Sequence, residues 1–431
     1  MQGRHLSLAL LPGQRRTLEA IFREGRRNVG MVGGIGAGKT KFVAILATML
    51  GYESPGVPGM VVAPTYPMAR DVDAVALEGF WLEQGIPFTA RRAEHTYVLS
   101  EPGTTIMLRS CDNPDRLRGP NLGWVLGDEI AMWDDSEEQP QRSAVNISLG
   151  RIRHPAAKRH LFAVVGTPNG FDHLHARFAE PQGKRLLPDA WFTRAPTWEN
   201  TYLDPAYVAG LKRAYDPLLY RQEVGGEFVA VGESLTYYAF SDANLKVFPV
   251  DPHLPLVLGC DFNVRGAWVV SQSSSDGVAR AVDEIAFSGQ NSTGKACDEF
   301  LARYAAHKAG LKVYADQSGK GRHSSATWTD FEIIKDKLGV YPYSPGRNPP
   351  IQDRVAAVNA KLCSASGEIG LYVHPEKCPL LIRDFQRLTN IPGTREPDKD
   401  RDAALSHASD GLGYYIYAAH PFISGRPKRA A

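Results

Sequence analysis

Up to about residue 235, short apolar runs alternate with stretches of helical spacing. That alternation predicts an α/β domain on a parallel sheet, because each buried strand needs a covering crossover before the next can lie beside it. The predicted strands are Asn28 to Val32, Met60 to Ala63, Thr104 to Arg109, Trp124 to Leu126 and Leu161 to Val165. Tyr207, Leu211, Tyr215 and Leu218 recur at near-helical spacing and predict a helix over Leu203 to Gly225. From Phe240 to Pro255 the chain turns proline-rich and irregular, which reads as a linker covering 236–255. A second α/β pattern follows, with strands Leu256 to Phe262, Ala267 to Ser271, Val278 to Phe287 and Val313 to Ala315. Its helices are expected near Thr293 to Lys308, Val355 to Leu362 and Asp402 to Ala418. The expectation is two α/β domains, 1–235 and 256–420, followed by a disordered basic tail, 421–431.

A length of 431 residues is more than one core ordinarily serves, and a hydrophobic share of 43% excludes a mostly disordered chain. No apolar run approaches the ~20 residues of a membrane span. Leu6 to Leu11 is too short for a signal peptide. Five scattered cysteines form no CxxC pair, which argues against a disulfide framework or a structural zinc and for a reducing, intracellular setting. With 49 basic and 47 acidic residues the net charge is +2, so overall charge does not announce nucleic acid. The charges are blocky, however. Arg15, Arg16, Arg23, Arg26 and Arg27 crowd one region, and Arg142, Arg151, Arg153, Lys158 and Arg159 another. Between those two lies an acidic block, Asp134, Asp135, Glu137 and Glu138. A solvated surface and a DNA-contacting face both fit such blocks.

The sharpest chemistry is Gly33-Gly34-Ile35-Gly36-Ala37-Gly38-Lys39-Thr40, a GxxxxGK[ST] phosphate loop between a predicted strand and a predicted helix. Its glycines let backbone N–H groups face phosphate oxygens, and the helix N-terminus adds positive potential. Lys39 would reach the β- and γ-phosphates of ATP, and Thr40 would hold Mg²⁺. Trp124 to Leu126 leads through Gly127 to Asp128 and Glu129, the pattern of a Walker B strand: Asp128 serves the metal and Glu129 positions and deprotonates water. After the next strand, Thr167 and Asn169 in Gly166 to Gly170 are candidates for sensing the γ-phosphate; an ordinary Pro-Asn-Gly turn is the alternative.

In the second half Asp261 and Asp316 each follow an apolar strand, and Asp410 lies on the last predicted helix. Three such carboxylates suit two divalent cations ~4 Å apart, which orient a water and stabilise the leaving oxygen of a phosphodiester. His407, three residues before Asp410, is a possible supporter of metal or substrate. Arg322, Arg347 and Arg354 are candidate phosphate-backbone contacts, with surface solubility as the alternative.

In this order the motifs resemble the large terminase subunit of tailed double-stranded DNA phages over nearly the whole chain. The carriers are Pro12-Gly13-Gln14, the phosphate loop, Ala63-Pro64-Thr65-Tyr66-Pro67, Pro114 to Gly119, the Walker B strand and Gly166 to Gly170. Tyr220 to Glu223, Gly226-Glu227-Phe228, Asp261-Phe262-Asn263, Ala315-Asp316 and His407 to Asp410 with Tyr414 complete the series. The resemblance implies an N-terminal RecA-like ASCE P-loop ATPase and a C-terminal RNase H-like nuclease using two Mg²⁺ or Mn²⁺. It implies that Gln14 reads adenine. Its implied partners are double-stranded DNA, the small terminase subunit, the procapsid portal and further copies of the chain. Those copies would form a ring, a pentamer, on the portal, while the chain alone is a monomer. The implied location is the host cytoplasm, with docking at the portal and absence from the mature virion. One departure is Ile35, where many relatives carry arginine. Arg118 is the candidate arginine finger in its place, acting from a neighbouring subunit; a plain salt bridge to the acidic block is the alternative. A helicase–nuclease of DNA repair is the rival function, but residues 170–250 are too few for its second RecA-like domain. A packaging motor whose RNase H-like half does not cut is the other.

Overall fold

The computed structural model describes residues 8–133, 135, 139–180, 184–229, 235–262, 265–288, 292–321, 328–391, 394–402 and 405–420. The basic tail, Arg322, Asn263 and most of the acidic block lie outside this set. The described residues divide into two compact units, 8–208 with 221–229, and 209–220 with 235–420. No helix among the described residues is long and apolar enough to cross a membrane.

The first unit carries an eight-stranded sheet in the order β3-β4-β5-β2-β6-β7-β1-β8. Each predicted apolar run is one of its strands: β1 (Asn28–Gly33), β2 (Gly59–Ala63), β5 (Thr104–Ser110), β6 (Trp124–Gly127) and β7 (Leu161–Gly166). Three strands were not visible in the sequence: β3 (Phe88–Arg91), β4 (Thr96–Leu99) and β8 (Ala190–Ala195). They lie toward the sheet edges, and β3 and β8 are only partly buried, so they carry no continuous apolar run. The central strands are covered on both faces. Trp124 and Leu126 point to the core that holds Phe42 and Trp81, while Val125 joins Phe162, Trp133 and Leu174 on the other side. Helix α1 (Pro12–Phe22) precedes β1, and α2 (Lys39–Glu53) follows it. Strands β1, β6 and β7 are parallel, with β7 between the other two. Their carboxyl ends therefore open at one edge, where ligands bind in such sheets.

The second unit is built on a five-stranded sheet, order β12-β9-β10-β11-β13. Its strands are β9 (Leu256–Cys260), β10 (Arg265–Ser273), β11 (Ala279–Ser288), β12 (Leu311–Ala315) and β13 (Leu371–Val373). β9 and β12 run parallel with Cys260 opposite Ala315, so the two residues that follow, Asp261 and Asp316, emerge side by side. Gly411 of the last helix presses directly on Gly259 of β9, a contact only two glycines permit. That contact seats the helix, and with it Asp410, against the strand that ends in Asp261.

Two expectations need correction. The helix expected over Leu203 to Gly225 is two, Pro205–Ala214 and Pro217–Glu223. Pro217 has no N–H to continue the ladder, and Asp216 Oδ1 restarts it by accepting from Leu218 and Leu219 at 2.9 and 3.0 Å. The expected linker is part of the second unit. Tyr237 is buried there beside Phe385, and the Asn244 amide donates to the Leu362 and Leu371 carbonyls at 2.8 and 3.0 Å. Its irregular backbone is satisfied by side chains rather than by a ladder, which composition alone does not reveal.

Candidate functional site

The phosphate loop leaves β1 and turns through Gly36 (φ 71°) and Gly38 (φ 77°), left-handed positions that suit glycine. Gly33 ends β1, and the N–H of Ala37 donates to the Gly34 carbonyl at 3.2 Å. Neighbouring segments hold the loop on several sides. Gly34 N–H donates to Ala195 at 3.1 Å and Ile35 N–H to Glu223 at 2.7 Å. Thr197 Oγ1 donates to the Ile35 carbonyl at 2.7 Å and Asn200 Nδ2 to that of Gly36 at 2.6 Å. Gln14 is buried and bridges two backbones: its oxygen accepts from Leu11 at 3.0 Å and its nitrogen donates to Gly38 at 2.9 Å. The structure thus gives Gln14 a loop-bracing position. Thr197 and Asn200 were missed because single polar residues beyond an unpredicted edge strand carry no motif.

Lys39 is only 8% exposed, and its ammonium is shared by the loop and two other strand ends. It donates to Thr167 Oγ1 at 2.8 Å and to the Gly34 carbonyl at 3.0 Å, and lies 3.3 Å from Glu129 Oε1. Glu129 Oε2 in turn accepts from the Thr167 N–H at 3.1 Å. Glu129 is held at φ 42°, an unfavourable setting for a non-glycine residue of the kind that clusters at functional sites. Thr40 Oγ1 donates to Asp128 Oδ2 at 3.1 Å, and Asp128 Oδ1 accepts from Glu129 N–H at 2.9 Å. Lys39, Thr40, Asp128, Glu129 and Thr167 are therefore brought together from β1, β6 and β7. Asn169 is exposed, with its N–H donating to Asp172 at 2.9 Å.

Asp73, which sequence reasoning did not single out, is buried against Asp128. Burial first, and the Asp128 charge next, hold its carboxyl well above the usual carboxylate range. Burial first and the Glu129 charge next also raise Asp128, to about 6, but the hydrogen bond shared with Asp73, then Lys39 and Thr40, support its charge, so Asp128 is the ionised member of the pair.

The second unit places Asp261, Asp316 and Asp410 around one cavity of about 500 Å³, with Arg354, Lys399, His407 and Tyr414. Among the described residues, however, no three acidic, histidine or cysteine side chains converge as closely as one ion requires. Each aspartate has a protein partner. His407 Nδ1 is 3.2 Å from Asp261 Oδ2, and Asp316 Oδ1 accepts from Asn348 Nδ2 at 2.6 Å and Ser318 N–H at 2.8 Å. Asp410 pairs with Arg354 at 3.0 Å through one oxygen and with Lys399 through the other. Arg354, a candidate phosphate contact, lies in the wall of this cavity, where it is buried and sits 4.2 Å over the Tyr414 ring, so surface solubility does not account for it. The donor set remains hard oxygen, the chemistry that Mg²⁺ and Mn²⁺ prefer. Asp283 and Glu284 are structural by contrast. Glu284 caps a helix by accepting from Leu380 and Leu381, and Asp283 holds Arg303 and Tyr304.

Arg118 is about half exposed and pairs with Asp115 at 3.0 Å, within its own turn. Several blocky arginines are also paired: Arg16 with Glu199, Arg26 with Asp189 and Arg159 with Glu53. Asp135 of the acidic block is buried between Arg177 and Arg185.

No protein-family model matches this chain, and no curated protein matches it. Among solved structures, the large terminase of a thermophilic bacteriophage superposes with a TM-score of 0.63 at 16% identity, covering 95% of this chain and 99% of its own. The same terminase in complex with ADP gives 0.62 at 15% identity, covering 96% and 100%. Its complex with ATP-gamma-S gives 0.61 at 15% identity, covering 94% and 98%. The chain has the two-sheet α/β fold of a large terminase along nearly its whole length, as the resemblance implied.

Proposed function

We propose that this chain is the large subunit of a tailed-phage terminase, an ATP-driven translocase of double-stranded DNA and a divalent-metal-dependent endonuclease that cuts concatemeric DNA. The observation that carries the reading is the joining of Lys39, Thr167 and Glu129 by hydrogen bonds and an ion pair across three strand ends. A second set of carboxylates lines a cavity on a separate sheet. The related terminase binds ADP and ATP-gamma-S, which supports ATP as the nucleotide here.

In the ATPase half, Lys39 and the loop amides bind the β- and γ-phosphates, and Thr40 and Asp128 hold Mg²⁺. Glu129 takes the proton of the attacking water, and Thr167 ties that glutamate to the phosphate-binding lysine. Ile35 brings no charge to the loop, so Arg118 of an adjacent copy remains our candidate finger, which requires it to leave Asp115. In the nuclease half, Asp261, Asp316 and Asp410 would hold two Mg²⁺ or Mn²⁺, which would supply Lewis acidity at the scissile phosphate. The small terminase subunit, the portal, a pentameric ring and a location in the host cytoplasm, with transient docking at the portal, complete the proposal. Asp410's ion pairs favour one second reading, a packaging motor whose C-terminal half does not cut.

The deciding experiment measures ATP hydrolysis and plasmid cleavage in Mg²⁺ or Mn²⁺ on the same preparations. Glu129→Ala is expected to bind ATP without turning it over and to keep cutting. Asp261→Ala, Asp316→Ala and Asp410→Ala are each expected to lose cutting and keep the ATPase. Unaltered hydrolysis by Glu129→Ala removes the motor assignment. No metal-dependent cutting by the wild type selects the non-cleaving reading. Mixing Arg118→Ala with Lys39→Ala is expected to restore some hydrolysis; no recovery where wild-type rings form leaves Arg118 structural.

A further inference from the structure

We propose that Asn348 is a positioning residue of the nuclease site: it fixes Asp316 through Oδ1 and so keeps Oδ2 for a divalent cation, an inference that rests on the nuclease reading above. The three aspartates around the cavity are held by different chemistry. Arg354 and Lys399 take both oxygens of Asp410, and His407 lies against Asp261 Oδ2. The two hydrogen bonds to the Asp316 carboxylate, from Asn348 Nδ2 at 2.6 Å and Ser318 N–H at 2.8 Å, both fall on Oδ1. Among the described residues, Oδ2 of Asp316 has no partner. Neutral amide donors fix the orientation of a carboxylate and leave its charge for a metal, whereas a guanidinium or ammonium must first be displaced.

The Ser318 bond is local, a cap on the turn that Asp316 itself starts. Asn348 is the donor that reaches the carboxylate from outside that turn. Its own oxygen accepts from the Gln317 N–H at 2.9 Å. Those two neighbours settle which way the amide points, because turned over it would set an oxygen against a carboxylate and an NH₂ against an N–H. The loop that carries Asn348 is anchored to the same strand end. Tyr343 N–H donates to the Val313 carbonyl of β12 at 2.8 Å, and Ala315 N–H donates to the Tyr343 carbonyl at 3.0 Å. Ser344 Oγ adds a bond to Gln317 Oε1 at 2.5 Å. Beyond Asn348 the chain enters the helix Ile351–Leu362, whose Arg354 pairs with Asp410. One segment therefore sets two of the three aspartates.

The test compares wild type, Asn348→Ala and Asn348→Leu, the second of which keeps the outline of the side chain without its donor. Electron paramagnetic resonance measures Mn²⁺ affinity without nucleotide or DNA, and Asp261→Ala marks the binding that belongs to the nuclease cavity. Plasmid cleavage is followed over a Mn²⁺ series, and DNA affinity is measured in EDTA. Both variants are expected to weaken that Mn²⁺ binding about tenfold or more, the usual scale for a residue that orients a metal ligand, and to leave DNA affinity within about twofold. The Mn²⁺ needed for half-maximal cutting rises by the same factor, and cutting returns toward wild type at saturating Mn²⁺. Mn²⁺ affinity equal to wild type in either variant overturns the Asn348 assignment alone. So does a loss of DNA affinity with Mn²⁺ binding intact, which makes Asn348 a contact to the nucleic acid. Failure of both variants to fold also overturns it, because the amide is then a structural tie. If Asp261→Ala changes neither Mn²⁺ binding nor cutting, the nuclease reading falls, and this inference with it.

Discussion

Replacing Gly411 by alanine tests how the fold delivers Asp410. A Cβ at Gly411 falls 2.7 Å from the Gly259 carbonyl oxygen, 3.2 Å from the Gly259 carbonyl carbon and 3.3 Å from the Ala267 oxygen. All three are backbone atoms. Gly259 sits in the middle of β9, paired to Val269 on one side and Tyr314 on the other, so the strand cannot retreat. Restoring an ordinary carbon–oxygen contact therefore needs a helix displacement of about 0.5–0.7 Å. Alanine contributes up to about 1 kcal/mol of helix propensity, while overpacking costs about 1–3 kcal/mol, so the net loss of stability is roughly 0–3 kcal/mol. The displaced helix carries Asp410 and His407 away from Asp261. Misplacement by about 1 Å can cost a hundredfold in rate, so cleavage is expected to fall about tenfold while ATP hydrolysis is unchanged. Gly413→Ala is the control. Its Cβ meets only the Arg354 side chain, at 3.7 Å, and the variant should cut normally and melt slightly higher. Plasmid cleavage, ATP hydrolysis and thermal melting of both variants make the comparison. Full cleavage by Gly411→Ala, or equal damage from Gly413→Ala, refutes the reasoning.

Asp135→Ala leaves Arg177 and Arg185 without their shared carboxylate, and breaking a buried pair costs about 3–5 kcal/mol. Chemical denaturation should show that loss, and a change below about 1 kcal/mol contradicts it. Burial lifts Asp384 from its ordinary 3.8 to about 6, so between those values the folded chain binds the extra proton. Stability from this group is then full below pH 3.8 and declines as pH rises to about 6, by up to about 3 kcal/mol. Asp384→Asn keeps an oxygen for the Ser409 N–H and is expected to flatten that decline in denaturant titrations across the same window. Lys399→Ala releases one oxygen of Asp410, and the Mn²⁺ needed for half-maximal cutting should fall several-fold. If cutting instead disappears at every Mn²⁺ concentration, Lys399 acts on the DNA.

The elements that were legible along the chain are those whose physics is local. The central strands β1, β2, β6 and β7 are buried on both faces and therefore read as unbroken apolar runs. The phosphate loop and the Asp128–Glu129 pair were legible because their geometry is made by adjacent residues at the end of such a strand. What crosses the sheet was not. The edge strands carry mixed patterns, and the segment 236–255 is ordered by single side chains reaching distant carbonyls. Asp73 stands 55 positions from Asp128 and is turned inward by a π-turn that no composition announces. Asp410 shows the same division. Its place on a helix is visible in the sequence, but its partners Arg354 and Lys399 come from other segments. Which charge faces a carboxylate depends on how segments pack in three dimensions, so only the folded chain decides it.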